Sequence, residues 1–114
     1  KSPLLSVYLY SIVAGPYVTF ESDKPEIKNF KFPLRLFSRI SIAKYVEKAK
    51  EDYLHVTKCG IEYYETLFST PYPFDKLDQA FVPDYSNGAM ENVGCVIYRD
   101  EYVQRDELFS DARK

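Results

Sequence analysis

The sequence has no tryptophan, one methionine, one histidine, two cysteines and four glycines in 114 residues, and several of these shortages remove a class of function. Cys59 and Cys95 are too few for a disulfide framework. One falls in a helical pattern and the other in a strand-like run, so both are read as reduced thiols. His55 stands four residues before Cys59, a spacing that puts both on one helix face, yet two such ligands without a carboxylate or a further cysteine do not make a zinc site. Packing or solvent exposure accounts for the pair. Basic charge is not in excess either: 15 Lys and Arg against 17 Asp and Glu give a formal net charge of −2. With no Lys/Arg cluster, a nucleic-acid partner is not expected. No apolar run is long enough to span a bilayer and no basic, apolar and cleavage-site pattern opens the chain. The cytoplasm is the default location, and membrane anchoring stays open.

What the chain does contain is apolar and aromatic. At 46% hydrophobic, with eleven tyrosines and eight phenylalanines, it is too rich for disorder and long enough for one small domain. Aromatics in that number imply large half-buried surfaces suited to neighbouring structure. Leu4 to Ala14, β-branched and aromatic with apolar residues on both faces, predicts a strand covered on two sides, ended by Gly15-Pro16. Tyr17 to Glu21 reads as its partner, and 22–26 as a polar turn. Phe30 to Phe37 is strand-like, with Pro33 placing it at an edge or bulge.

A helix is predicted over 42–68, with Ser41 as N-cap and an apolar stripe at Ile42, Val46, Ala49, Tyr53, Val56, Gly60, Tyr64 and Leu67. Its other face is charged and solvated. Pro71 and Pro73 end it. Strands are expected again at Leu77 to Val82 and Val93 to Tyr98. The fold class is therefore α+β, one mixed β-sheet packed against a long helix. No internal repeat or low-complexity linker interrupts it, and a domain boundary is placed near Gly15-Pro16.

Between the last two strands runs Asn87-Gly88-Ala89-Met90-Glu91-Asn92-Val93-Gly94, a carboxylate set in a segment almost free of bulky side chains. Gly88 and Ala89 leave main-chain N–H and C=O groups open to pairing with an extended peptide. Glu91 supplies a negative charge beside that edge, suited to a ligand carrying a free ammonium.

The residues Gly88 to Asn92 read Gly-Ala-Met-Glu-Asn, which resembles the exopeptidase signature of the M1 family of zinc aminopeptidases. The likeness continues on both sides. Tyr72-Pro73-Phe74-Asp75-Lys76-Leu77-Asp78-Gln79 and Phe81-Val82-Pro83-Asp84-Tyr85 precede the motif as in aminopeptidase N-like members; Gly94-Cys95-Val96 and Arg99-Asp100-Glu101-Tyr102-Val103 follow it in register. Ser6-Val7-Tyr8-Leu9 and Ala14-Gly15-Pro16-Tyr17 resemble the end of that family's N-terminal β-domain and its crossing into the catalytic domain.

The resemblance implies that residues 1–16 end an N-terminal β-domain and that 17–114 begin a thermolysin-like (gluzincin) catalytic domain, incomplete here. It implies a zinc cofactor whose HExxH ligands lie beyond Lys114, and so no catalytic or metal-ligating residue within this chain. The implied substrate-binding set is Gly88, Ala89, Met90, Glu91 and Asn92. Glu91 would hold the substrate ammonium, Gly88 and Ala89 would pair with its main chain, and Met90 would line the pocket for its first side chain. The implied partners are peptides with a free N-terminus and the remainder of the same catalytic domain. A chain of this length alone is expected to be inactive.

The alternatives are a non-catalytic peptide-binding or interaction module that retains the edge strand, and an unrelated α+β domain. Asp75, Asp78 and Asp84 invite an acid/base role, but turn aspartates are common in a charged sequence. Tyr85 and Tyr98 read as packing or pocket wall.

Overall fold

The computed structural model describes residues 2–22 and 32–103. Its elements in chain order are β1 (Tyr17–Glu21), β2 (Arg35–Arg39), α1 (Ala43–Leu67), β3 (Asp78–Val82), β4 (Ala89–Met90) and β5 (Cys95–Arg99), with 3-10 turns at Val7–Leu9, Ile40–Ile42 and Asp100–Tyr102. The five strands form one sheet in the order β1-β2-β3-β5-β4. β1 and β2 are antiparallel, β2, β3 and β5 run parallel, and β4 lies antiparallel on β5. The expected mixed sheet with one long helix is therefore present. α1 is the crossover that a parallel β2–β3 pair requires.

Register sorts the side chains into two faces. Leu36, Gln79 and Val96 form one cross-strand row, and Ser38, Phe81 and Tyr98 the next. Leu36 and Phe81 share the buried core with Ile42, Val46 and Leu54, so these rows face α1. Tyr53 extends the contact, its ring 5.4 Å from that of Phe81. The opposite face carries Phe37, Ala80 and Ile97, and residues Ser11 to Val13 share a cavity of about 290 Å³ with Phe37, Ala80 and Cys95.

Several expectations shift. Leu4 to Ala14 is not a strand: it is a strap with a 3-10 turn at Val7–Leu9, in which Ser6 Oγ accepts from Tyr8 N–H. Its apolar residues lack cover on both sides, Leu4, Val7 and Ile12 being almost fully exposed, so the two-sided burial that its composition predicts is not supplied among the described residues. β2 starts at Arg35, after Pro33, and the early part of the predicted strand, residues 30–31, lies outside the described residues, as does most of the 22–26 turn. β3 and β5 agree with the expected strands to within two residues, and β4 is an additional short strand.

The helix runs within a residue of its predicted span, but its ends are built differently. Ser41 sits inside the 3-10 turn and Ile42 takes the cap position with no side-chain cap. Burial of Ile42, 2% exposed, fixes the entry instead. At the other end Ser69 adopts a left-handed φ of 51°, and its N–H and that of Thr70 bond the carbonyls of Thr66 and Glu65. This Schellman closure stops the helix before either proline is reached. The buried stripe holds at Ile42, Val46, Ala49 and Tyr53, then drifts to Leu54, Thr57 and Ile61, leaving Val56, Tyr64 and Leu67 exposed. A 25-residue helix is roughly 37 Å long at ~1.5 Å per residue, about twice the length of a five-residue strand. Its last turns, from Glu62 on, are mostly exposed.

Candidate functional site

β4 is the outermost strand, and no described strand pairs with its outer side. Its inner side is held by the ladder Ala89↔Tyr98 and Met90↔Ile97, extended by the Arg99 N–H donating to the Gly88 carbonyl at 3.1 Å. Gly88 has no alternative to glycine while Tyr102 keeps its place, because the Tyr102 phenol oxygen would clash with a Cβ on residue 88. The turn into β5 closes on Asn92, whose carbonyl accepts from Cys95 N–H at 3.1 Å. Gly94 takes the left-handed φ of 66° that this turn needs.

Alternation along β4 puts Ala89 and Glu91 on the α1 face beside Tyr98, and Met90 on the opposite face with Ile97. The Met90 side chain therefore points away from Glu91, and its main chain, like the Gly88 carbonyl, pairs inward with β5, so the main-chain groups that β4 turns to its open edge are those of Ala89. Glu91 itself is exposed. Its charge reaches Tyr98: burial first, and the Glu91 carboxylate second, raise the Tyr98 phenol above its ordinary pKa. The Tyr98 hydroxyl donates to Gln79 Oε1 at 3.2 Å, Gln79 Nε2 donates to Thr57 Oγ1 at 2.8 Å, and Thr57 Oγ1 donates to the Tyr53 carbonyl at 2.7 Å. This chain ties β5 through β3 to α1 directly behind the edge strand. The phenol already has an acceptor, so it forms part of the supporting wall.

Asn92, the last residue of the expected set, is only 6% exposed. Its Nδ2 donates to the Tyr10 carbonyl at 3.3 Å, and the neighbouring Val93 N–H donates to the Leu9 carbonyl at 3.1 Å. The strap thus runs along the inner side of the turn after β4. These contacts, like Tyr102 over Gly88, have no local sequence signal. Asn92 and Tyr10 are 82 positions apart, and only the folded sheet brings them together.

The other candidates are structural. Asp78 is buried, held by Arg35 through two hydrogen bonds of 2.7 and 2.8 Å and by Lys76 Nζ at 2.7 Å. Asp100, also buried, pairs with Arg39 at 2.6 Å; neither arginine stood out in the sequence. Asp75 and Asp84 are exposed on loops. His55 Nε2 and Cys59 Sγ lie 3.7 Å apart on the exposed side of α1. Among the described residues no group of three or more His, Cys, Asp or Glu could hold a metal ion, and no helix is long and apolar enough to cross a membrane. The described residues therefore do not fit a zinc ion.

Residues 53–114 match the model of the Peptidase family M1 domain. The chain is 34% identical over 111 residues to Aminopeptidase N of Streptomyces lividans, covering 94% of this chain and 12% of that protein. It is 36% identical over 117 residues to Aminopeptidase M1-D of Oryza sativa subsp. japonica, covering 98% and 12%. With Aminopeptidase N of Oryctolagus cuniculus the identity is 31% over 110 residues, covering 96% and 11%. The chain thus spans about one-eighth of the length of the curated relatives it matches. A family match over more than half of the chain and these nearly end-to-end similarities lead to one conclusion: this chain belongs to peptidase family M1.

Proposed function

We propose that this chain is the part of a zinc aminopeptidase that recognises the amino terminus of a peptide substrate. The observation that carries the reading is Glu91, an exposed carboxylate placed immediately after the edge strand β4. A peptide laid antiparallel or parallel on β4 gains main-chain hydrogen bonds from Ala89, the residue whose N–H and C=O face the open edge. Its α-ammonium then meets Glu91, a charge-assisted contact stronger than a neutral hydrogen bond. Such an anchor fixes which peptide bond lies at the reacting centre, because only a free terminus can occupy it. That is the physical basis of removing residues one at a time.

Zinc, when bound in the complete protein, supplies the Lewis acid that activates water. Its ligands belong, on this reading, to residues outside this chain. The remainder of the catalytic domain is the other partner. In support, the end of α1 leaves Tyr63, Tyr64, Leu67 and the following Phe68 more than half exposed, beside an apolar cleft of about 460 Å³ lined by Ile61, Tyr72 and Pro73. The division of the chain near Gly15-Pro16, strap before and catalytic domain after, belongs to the same proposal.

Replacing Glu91 by glutamine in the complete enzyme tests the reading. Shape and an acceptor oxygen remain while the charge goes, so kcat/KM for peptides with a free terminus is expected to fall about tenfold, the lower end of what a hydrogen bond to a charged group contributes. Unchanged kinetics would remove Glu91 from substrate recognition.

A further inference from the structure

Met90 and the Gly88 carbonyl pair inward with β5, so an antiparallel peptide on the open edge forms its hydrogen-bonded pair with Ala89. Antiparallel is the direction that uses the strand, because a parallel peptide anchored at Glu91 leaves β4 at once. Glu91, the residue after β4, then sets the register. With the first peptide residue opposite Ala89, the Ala89 carbonyl would take up the ammonium; with the third opposite Ala89, the ammonium would lie beyond Glu91. The second residue opposite Ala89 brings the ammonium to Glu91, and it places the third residue opposite Gly88.

Residues directly opposite one another share a face of the sheet. Ala89 lies in the row of Tyr98, on the α1 face, and Met90 in the row of Ile97, on the other. By alternation position 88 belongs to the Met90 face, so the third peptide residue points its side chain there and the second points its own to the α1 face. Gly88 brings no side chain to that place; Tyr102 does. Its phenol oxygen is at clashing distance from where a Cβ on residue 88 would stand, and the nearest ring carbon, 3.4 Å from that point, lies behind it. The hydroxyl of a half-exposed tyrosine thus stands in for the missing side chain.

Cβ atoms directly opposite across an antiparallel pair are about 5 Å apart, which puts that hydroxyl within hydrogen-bonding reach of a short polar side chain on the third residue. An apolar side chain of the same shape would cover the hydroxyl without replacing the water it loses. We infer that Tyr102 determines specificity at the third residue of the substrate, favouring threonine over its isostere valine through the phenol hydroxyl. The inference rests on the proposed role of Glu91, which fixes the register. It extends the recognition surface from the end of β4 to the turn Asp100–Tyr102 that follows β5.

The test uses the complete enzyme and a set of tripeptide amides. Leu-Ala-Thr-amide and Leu-Ala-Val-amide differ at the third residue; Leu-Thr-Ala-amide and Leu-Val-Ala-amide make the same exchange at the second. Tyr102→Phe is expected to lower the threonine-to-valine ratio of kcat/KM roughly two- to tenfold for the first pair, the contribution of one neutral hydrogen bond, and to leave the ratio of the second pair at its wild-type value. Glu91→Ala should slow every peptide of the set. A third-residue ratio untouched by Tyr102→Phe, with the whole set slowed by Glu91→Ala, overturns the inference and leaves the Glu91 reading standing. A change in the second-residue ratio puts the peptide in another register and overturns the inference as well. So does an equal loss for the whole set in Tyr102→Phe, which assigns the ring to general structure. Unchanged kinetics of the whole set in Glu91→Ala overturn the role of Glu91, and the inference with it.

Discussion

The phenol oxygen of Tyr102 lies at clashing distance from the point where a Cβ on residue 88 would stand, so the present Gly88–Tyr102 contact leaves no room for a side chain between them. Tyr102 is half exposed, and its ring can yield at modest cost. Gly88→Ala is therefore expected to destabilise the fold by about 1 kcal/mol, the lower end of overpacking penalties. Tyr102→Phe, alone near neutral, should restore most of it in the double variant, because without the hydroxyl the nearest ring carbon is 3.4 Å away. Denaturant midpoints of the three variants check this; full additivity of the two changes would show that the two residues do not meet.

Asp78 faces Arg35 and Lys76 together. Asp78→Asn leaves two cations without their shared partner, one of them 34% exposed and the other 51%. Water relieves part of the loss, so the expected cost is roughly 1 to 3 kcal/mol, below that of breaking a fully buried pair. Urea unfolding should register it. Arg35→Ala should cost less, since Lys76 remains to pair the carboxylate.

Two tyrosines set an alkaline limit. Burial first and the Asp78 charge second push the Tyr72 phenol up to about 12, and Tyr98 is raised by burial and then by Glu91. Both folded values lie above the unfolded value of about 10. The fold thus favours the neutral phenols: their contribution is fully present below about pH 10 and is lost as pH rises through the folded values. Stability should fall between about pH 10 and 12, and tyrosinate absorbance should show a late-titrating fraction. Tyr72→Phe should weaken the fall; an unaltered alkaline limb would argue against Tyr72 as its source.

Regular elements were legible from sequence where the apolar pattern is local. α1 declares itself by the spacing of Ile42, Val46, Ala49 and Tyr53, and β3 and β5 by short apolar runs between turns. Leu4 to Ala14 misleads because apolar composition reports a capacity for burial, and the neighbours that would supply it are not among the described residues. The stripe on α1 goes astray after Tyr53 because the contact with the sheet shifts to Leu54, Thr57 and Ile61, and the last turns beyond them are exposed. The exposed place of Glu91 beside an edge strand was legible through the small residues around it. The contacts of Tyr102 with Gly88, Asn92 with Tyr10, and Tyr98 with Gln79 were not, since each depends on strand order, which no local pattern encodes.

The central claim is that Glu91 binds the substrate ammonium, and kcat/KM of the complete enzyme with Glu91→Ala on paired substrates tests it most directly. For a peptide with a free amino terminus the account predicts a loss of roughly ten- to over a hundredfold, from the 1.5 to 3 kcal/mol of a hydrogen bond to a charged group. Metal content and melting temperature should stay at wild-type values. The N-acetylated form of the same peptide, which has no ammonium, should be a poor substrate for wild type and nearly indifferent to the substitution. Equal activity of wild type and Glu91→Ala toward the free-terminus peptide would contradict the account and make Glu91 an ordinary turn carboxylate.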